Sequence, residues 1–317
     1  YISSEQDHIK IIKQLTENYD MSLISSKLTE NGDNLLGDIE IQLSEIAQKN
    51  ATMYASLKFN AFKEAHNQIR GIYLNGYLFN DSDKRKSIDE ILINTDVNTL
   101  VIDVKTDNGH ILFDTDIEEV LYLNNERVKF TKNEIEELRE IKDLYLIARL
   151  VVFQDPLFAK VFPDEAVFDS RLNKPYSQNG QFFLDPSSEK VQNYIINIAL
   201  ESCRLGFDEI QYDYIRYPDS SSKFMQFDTK NDFENRINNI NSFLSKSRKI
   251  LHREGCLLSA DTFGYILTNK QDGGIGQNLE SVVENVDFIS PMVYPSHYTN
   301  GSFGYQNPNK HPYEVIT

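Results

Sequence analysis

Along the first 66 residues the apolar positions recur at intervals nearer 3.6 than 2. Ile9, Ile11, Ile12 and Leu15 open the pattern; Ile39, Ile41, Leu43, Ile46 and Ala47 carry it on to Met53, Leu57, Phe59 and Phe62. Polar residues fill the gaps, so the spacing predicts helix, broken once at the turn Glu30-Asn31-Gly32-Asp33. From residue 70 the rhythm changes. Short runs rich in β-branched and aromatic residues, at 70–79, 99–104, 144–153, 209–214, 256–263 and 288–294, alternate with amphipathic stretches at 86–93, 134–141, 190–205 and 232–252. Strand followed by helix, repeated, marks parallel βα units.

Six such units, with no Gly-rich phosphate loop after the first strand, favour a TIM-type (β/α) barrel over a doubly wound sheet. GxGxxG is absent, which argues against nucleotide binding. The expected organisation is α/β: an N-terminal helical segment over 1–66, as padding or an arm for self-association, and a (β/α)-barrel over 67–317. A closed barrel of this type takes eight strands. The pattern supplies six, so the C-terminal two βα units are expected to be missing, leaving two unpaired sheet edges.

Composition changes the picture in one respect. The 32 basic and 48 acidic residues give a net charge of −16, and no Lys/Arg-rich stretch offsets it. Such a surface repels phosphate backbones and anionic membranes, so no nucleic-acid partner is expected. A neutral or cationic polymer such as a polysaccharide suits it better. Cys203 falls in an apolar-periodic helix and Cys256 just before a strand, so both read as small buried hydrophobes without metal-ligand spacing. The chain begins at Tyr1 with no signal-like segment; a cell-envelope or extracellular setting is expected if an export signal has been trimmed away.

Candidate chemistry lies where the strands end, since barrel enzymes carry their reacting groups at the C-terminal ends of strands. In the fourth strand, alternation puts Glu209, Gln211 and Asp213 on one face and Ile210, Tyr212 and Tyr214 on the other. Burying Gln and Asp inside a barrel is costly without a purpose. Asp213 is therefore a candidate carboxylate, unless it only pairs with Arg216 to order the loop. In the fifth strand Leu257, Ser259 and Asp261 share a face, and Asp261 lies near the end; its plainer role would be capping or loop hydrogen bonding. Two carboxylates on adjacent strand ends suit glycoside hydrolysis, where one attacks or activates water and the other protonates the leaving oxygen. Lys105 and Arg149 are candidates to hold Asp213 ionised or to bind a substrate carboxylate, and Asp103, Gln211 and Arg216 are further candidates to bind substrate. Tyr294, His297 and Tyr298 are candidates to line a sugar subsite, although the chain has no Trp. No metal or organic cofactor is expected; the acidic loop at 228–234 reads as solvated rather than as a Ca²⁺ site.

An ordered series of motifs carries a resemblance. Gly71-Ile72-Tyr73, Val101-Ile102-Asp103-Val104-Lys105, Ile147-Ala148-Arg149 running to Asp155-Pro156, and Gly206-Phe207-Asp208-Glu209-Ile210-Gln211-Tyr212-Asp213-Tyr214-Ile215-Arg216-Tyr217-Pro218 come first. Ser259-Ala260-Asp261-Thr262-Phe263-Gly264, Ser290-Pro291-Met292-Val293-Tyr294-Pro295-Ser296-His297-Tyr298 and His311-Pro312-Tyr313-Glu314 complete it. From about residue 69 on, the chain resembles a bacterial family of glycosyl hydrolase (β/α)-barrel domains of undefined substrate, first described as a domain of unknown function. The resemblance implies a barrel distantly related to alpha-amylase-like and chitinase-like ones, with an acidic site at Asp213 and Asp261. The family continues past His311-Pro312-Tyr313-Glu314 into two further βα units that include Trp. Chitinase-like barrels carry a DxxDxDxE run; laid on it from Asp208, Asp213 takes the third Asp and Ile215 stands where the acid Glu belongs, so substrate-assisted chitinase chemistry is not expected. The expected function is hydrolysis of a poly- or oligosaccharide by the Asp213/Asp261 pair. The alternative is a non-catalytic glycan-binding or scaffold barrel of the cell envelope.

Overall fold

The computed structural model describes residues 32–317 except 124–127 and 220–221. The helical pattern read before residue 32 lies outside them. Helix α1 spans Gly32–His66, and the chain divides into compact units at Asn50, within that helix. The parallel strands and the candidate site residues all belong to the unit Ala51–Thr317.

The core of this unit is a curled six-stranded parallel sheet: β1 (Gly71–Leu74), β2 (Thr99–Lys105), β3 (Tyr145–Val151), β4 (Glu209–Asp213), β5 (Leu257–Phe263) and β6 (Phe288–Met292). Each strand pairs in parallel with the next in sequence. A doubly wound sheet reverses its strand order at a switch point; this one never does, which gives it the α/β architecture of a partial TIM-type barrel. Among the described residues β1 and β6 form its two edges.

Strand and helix follow from local sequence. Leu100, Ile102 and Val104 of β2 and Ile210 and Tyr212 of β4 are fully buried, as expected of parallel strands covered by crossover helices. The main helices are α2 (Ser82–Asn94), α3 (Lys132–Ile141), α4 (Glu189–Leu205) and α5 (Phe233–Arg253). Ser188 caps α4 by accepting from Val191 N at 3.2 Å, and Asp232 caps α5 by accepting from Asn235 N at 3.0 Å. That cap, together with a Lys230 contact at 2.9 Å, engages the Asp232 carboxylate of the acidic loop. Helix α4 ends at Gly206 with φ +114°, a left-handed terminus that a residue with a Cβ adopts only at a cost.

Two local expectations are corrected. The run at 70–79 is not one strand: β1 stops at Leu74, and Asn75 accepts from Tyr77 N at 3.0 Å to start a 3₁₀ turn over Gly76–Asn80. Cys203 and Cys256 are not separate thiols but a disulfide. The last turns of α4 lie against the chain entering β5, with Cα atoms 6.1 Å apart across a separation of 53 residues.

The N-terminal ends of the strands are closed from below by the last turns of α1. Phe59 packs on Tyr145 and Phe288, with ring centroids 5.3 and 4.9 Å away, and Phe62 also meets Tyr145. Thr52 Oγ1 and His252 Nδ1 are 2.8 Å apart, and Lys58 reaches Asp208 at 3.3 Å. Asp208 accepts from Arg139, and Asp287 from Arg248 and from Leu258 N. Glu209 sits among them, its carboxyl pushed up to about 7 chiefly by burial. Charges at this end serve the fold, and the opposite end stays open.

Candidate active site

The open end holds a cleft of about 900 Å³. Its floor is set by the inward residues of β1 to β6. Register puts Ser259 opposite Gln211 and Ala260 opposite Tyr212, so Asp213 and Asp261 are the next level up on adjacent strands. Both line the cleft, 6% and 9% exposed. Their outward neighbour Tyr212 stacks on Phe243 of α5, centroids 5.3 Å apart, and its hydroxyl meets Ser247 Oγ at 3.3 Å. That packing fixes which way β4 faces.

Asp213 is held on both oxygens. Arg149 donates to Oδ2 at 2.5 Å and Tyr214 N donates to Oδ1 at 2.7 Å. Arg149 also donates to Asp103 Oδ1 at 2.7 Å, and the Tyr73 hydroxyl donates to Asp103 Oδ2 at 2.5 Å. The order Tyr73–Asp103–Arg149–Asp213 thus runs across four strands. Burial alone disfavours the Arg149 cation, but the Asp213 and Asp103 carboxylates outweigh it and raise its pKa. Arg149, not Arg216, is the ion-pair partner of Asp213.

Asp261 differs. Its carboxyl is pushed up to about 7, first by burial and then by the Asp213 charge, against smaller opposing effects of Arg149 and a Ser290 hydrogen bond. Two carboxyls in one cleft thus have different surroundings: Asp213 is held by Arg149, and Asp261 is buried beside the Asp213 charge.

Among the other expected site residues, Gln211, Arg216, Tyr294 and His297 line the cleft. Gln211 donates to Ser290 Oγ at 3.3 Å. Asp103 lies behind Arg149, 4% exposed. Lys105 lies elsewhere. The pairing of β2 with β3 slips between Asp103 and Lys105, so Asp103 faces Arg149 but Lys105 faces Leu150. This bulge turns Lys105 off the inner face. Its ammonium is fully buried, donating to Val151 O at 2.8 Å and pairing with Asp155 at 3.0 Å. Tyr298 sits behind the wall, its hydroxyl 2.7 Å from where a Cβ on Gly264 would lie. Tyr214 corrects the simple alternation: with φ +55° it leaves the strand path and lines the cleft instead of the outer face.

Residues 71–317 match the family described as "Putative glycosyl hydrolase domain". The chain belongs to that family. Solved structures similar to it include the following two. A hypothetical protein from Ruminiclostridium thermocellum is 31% identical, with TM-score 0.54, over 60% of this chain and 96% of that one. The PgaB (BpsB) glycoside hydrolase domain from Bordetella bronchiseptica has TM-score 0.58 over 78% of this chain and 80% of that one, at 12% identity, and so speaks for the fold alone. No curated protein matches the chain.

In this member of the glycosyl hydrolase domain family the cleft also contains Tyr73, Tyr214, Asp219, Phe263 and Ser290, which strand-end reading did not single out. Tyr73 was obscured by extending the first strand past its end. Ser290 was findable: it sits opposite Asp261 in the register of β6 and shares the inner face. The hairpin Ser177–Gln178 and Gln181–Phe182 reaches the rim, where Gln178 donates to Asp219 O at 2.9 Å. Its turn is Asn179-Gly180, both at positive φ, a hairpin signal legible in the sequence.

Proposed function

We propose that this chain hydrolyses glycosidic bonds of a poly- or oligosaccharide, with Asp213 and Asp261 as its working carboxylates. The observation that carries the reading is their asymmetry within one cleft: Asp213 is ion-paired to Arg149, while Asp261 has its carboxyl pushed up to about 7. Asp261 then donates a proton to the leaving oxygen, and Asp213 attacks the anomeric carbon from the other side. In the second step water enters, Asp261 takes its proton, and the glycosyl–Asp213 bond breaks to return both groups to their starting states. The two hydrogen bonds on Asp213 leave lone pairs on each oxygen for that attack. Tyr73 and Tyr294 offer aromatic faces for the sugar rings.

The test is release of reducing ends from a polysaccharide panel by the native chain, Asp213→Asn and Asp261→Asn. Each variant, shown folded by an unchanged circular dichroism spectrum, is expected to lose about 10²–10⁴-fold in kcat. Azide is expected to revive Asp261→Asn on an activated aryl glycoside. Full activity in either Asn variant sinks the assignment.

A further inference from the structure

The cleft holds a second cation, Arg216, which makes no direct ion pair with Asp213. Arg216 follows β4 and lines the cleft, yet no carboxylate among the described residues lies within ion-pair distance of it. Among the described residues its one hydrogen bond runs from Nη1 to Tyr217 O at 3.1 Å. Three rings hold the guanidinium in place: Phe183, Tyr214 and Phe263, with centroids 5.3, 5.5 and 5.1 Å from its central carbon. They come from three places in the chain: the arm between β3 and α4, the end of β4 and the end of β5. Tyr214 contributes its ring only because it accepts φ +55°, a strained conformation for a residue with a Cβ.

A guanidinium has five N–H donors and cannot discard its charge. Among the described residues one donor is engaged, and the ring faces offer none of the acceptors that the others need. Other half-buried arginines among the described residues are matched: Arg149 by two carboxylates, Arg236 by Asp272, Arg248 by Asp287. Arg216 is the cleft's exception. Asp219, exposed at the rim, and Asp213, already paired with Arg149, act on the Arg216 charge only from beyond ion-pair distance.

We infer that Arg216 is a specificity-determining subsite that receives an anionic substituent of the sugar, a carboxylate or a sulfate ester, so that the substrate is an acidic glycan. The inference rests on the hydrolase reading of this cleft and names its substrate class. The planar fork fits either group in a two-point contact, which an ammonium does not reproduce. The chain's net charge of −16 works against approach of such a polymer, but beyond about 8 Å it is screened at physiological salt, whereas the contact at Arg216 is not.

Binding, not hydrolysis, is the readout, so the two readings fail separately. Asp213→Asn is titrated by calorimetry with oligosaccharides of galacturonate, mannuronate and glucuronate–N-acetylglucosamine, each beside its carboxyl-reduced neutral form, and with sulfated counterparts. At least one acidic member is expected to bind tenfold or more tighter than its neutral form; whether the carboxylate or the sulfate series does so identifies the group. Arg216→Gln is expected to erase that preference and Arg216→Lys to reduce it, both with unchanged melting temperature. The acidic-against-neutral comparison, made with Arg216 intact, stands by itself should an Arg216 variant fail to fold. Equal binding of acidic and neutral forms, an undiminished preference in Arg216→Gln, or binding of none of the glycans overturns the inference. Hydrolysis of a neutral glycan without regard to Arg216 overturns it while leaving the hydrolase reading intact.

Discussion

Arg149 donates to Asp213 at 2.5 Å, and its other terminal nitrogen is anchored on Asp103. One planar group on β3 thereby sets the position of a carboxylate on β4 by leaning on a carboxylate of β2. Bidentate geometry of this kind is specific to arginine. Arg149→Lys keeps the charge but cannot span both carboxylates. It is expected to lower kcat by about 10²-fold, the effect of a misplacement near 1 Å, with KM little changed. Asp103→Asn acts on Asp213 only through Arg149 and is expected to give a smaller loss of the same kind. Steady-state kinetics with the melting temperature measured alongside checks both; a change confined to KM contradicts the positioning role.

Asp261 predicts a pH dependence in two observables. A general acid must be protonated, and its carboxyl titrates at about 7. Log kcat is expected to fall with slope −1 above pH about 7, a limb that Asp261→Asn abolishes. The sign for stability follows from the same shift. The folded state holds the proton more tightly than the unfolded state, whose value is near 3.8, so the contribution is full below about 3.8 and is lost as pH rises toward about 7. At pH 8 the native chain bears a penalty on the order of 4 kcal/mol, at 1.36 kcal/mol per unit. Asp261→Asn is therefore expected to melt higher than native at pH 8 and to lose that advantage near pH 4. A melting temperature unchanged at both pH values refutes the shift.

The strand plan was legible because parallel strands under helices read as apolar runs separated by capped amphipathic segments. Six runs became six strands in sequence order. Asp213 and Asp261 were findable because each is the last inward polar residue of an alternating strand, and period 2 carries a side chain reliably to one face. The same rule misplaced Lys105, where one bulged residue reverses the faces, and Tyr214, where a single positive φ ends the alternation. Neither event has a sequence signature of its own, since Val104 and Tyr214 are ordinary strand residues. Pairing of Cys203 with Cys256 depends on how α4 docks against β5, which a pattern along one chain does not encode.

Register makes a stereochemical prediction. Asp213 and Asp261 sit one step beyond the pair Tyr212 and Ala260 on neighbouring strands, and such strands lie about 4.8 Å apart. Carboxyls rooted that closely fall nearer the roughly 5–5.5 Å of retaining glycosidases than the 6.5–9.5 Å that leaves room for an attacking water. Hydrolysis is expected to proceed with retention, read by following the first-formed anomer by proton NMR. Inversion would mean that water, not Asp213, attacks.

The disulfide Cys203–Cys256 closes a loop of 53 residues that contains β4 and α5. Loop-closure entropy for that length corresponds to about 4 kcal/mol. Reduction, or the Cys203→Ser/Cys256→Ser double variant, is expected to lower the melting temperature on the order of 10 °C while leaving the cleft residues in place. A melting temperature indifferent to reductant shows that the bond contributes nothing.

Gly264 tests how the cleft wall is built. It follows Phe263 at the end of β5, where a Cβ would lie 2.8 Å from Met292 O, 3.0 Å from Val293 Cα and 2.7 Å from Tyr298 Oη. The first two are backbone and cannot rotate away. Gly264→Ala must therefore push the segment after β6, which carries Tyr294 and His297 into the cleft. Overpacking of this kind costs about 1–3 kcal/mol, and KM is expected to rise because the wall moves while Asp213 and Asp261 do not. Adding Tyr298→Phe removes the hydroxyl clash but not the backbone ones, so the double variant is expected to recover little. If it recovers native KM, the wall is set by the Tyr298 hydroxyl and not by the close approach of the two strand ends.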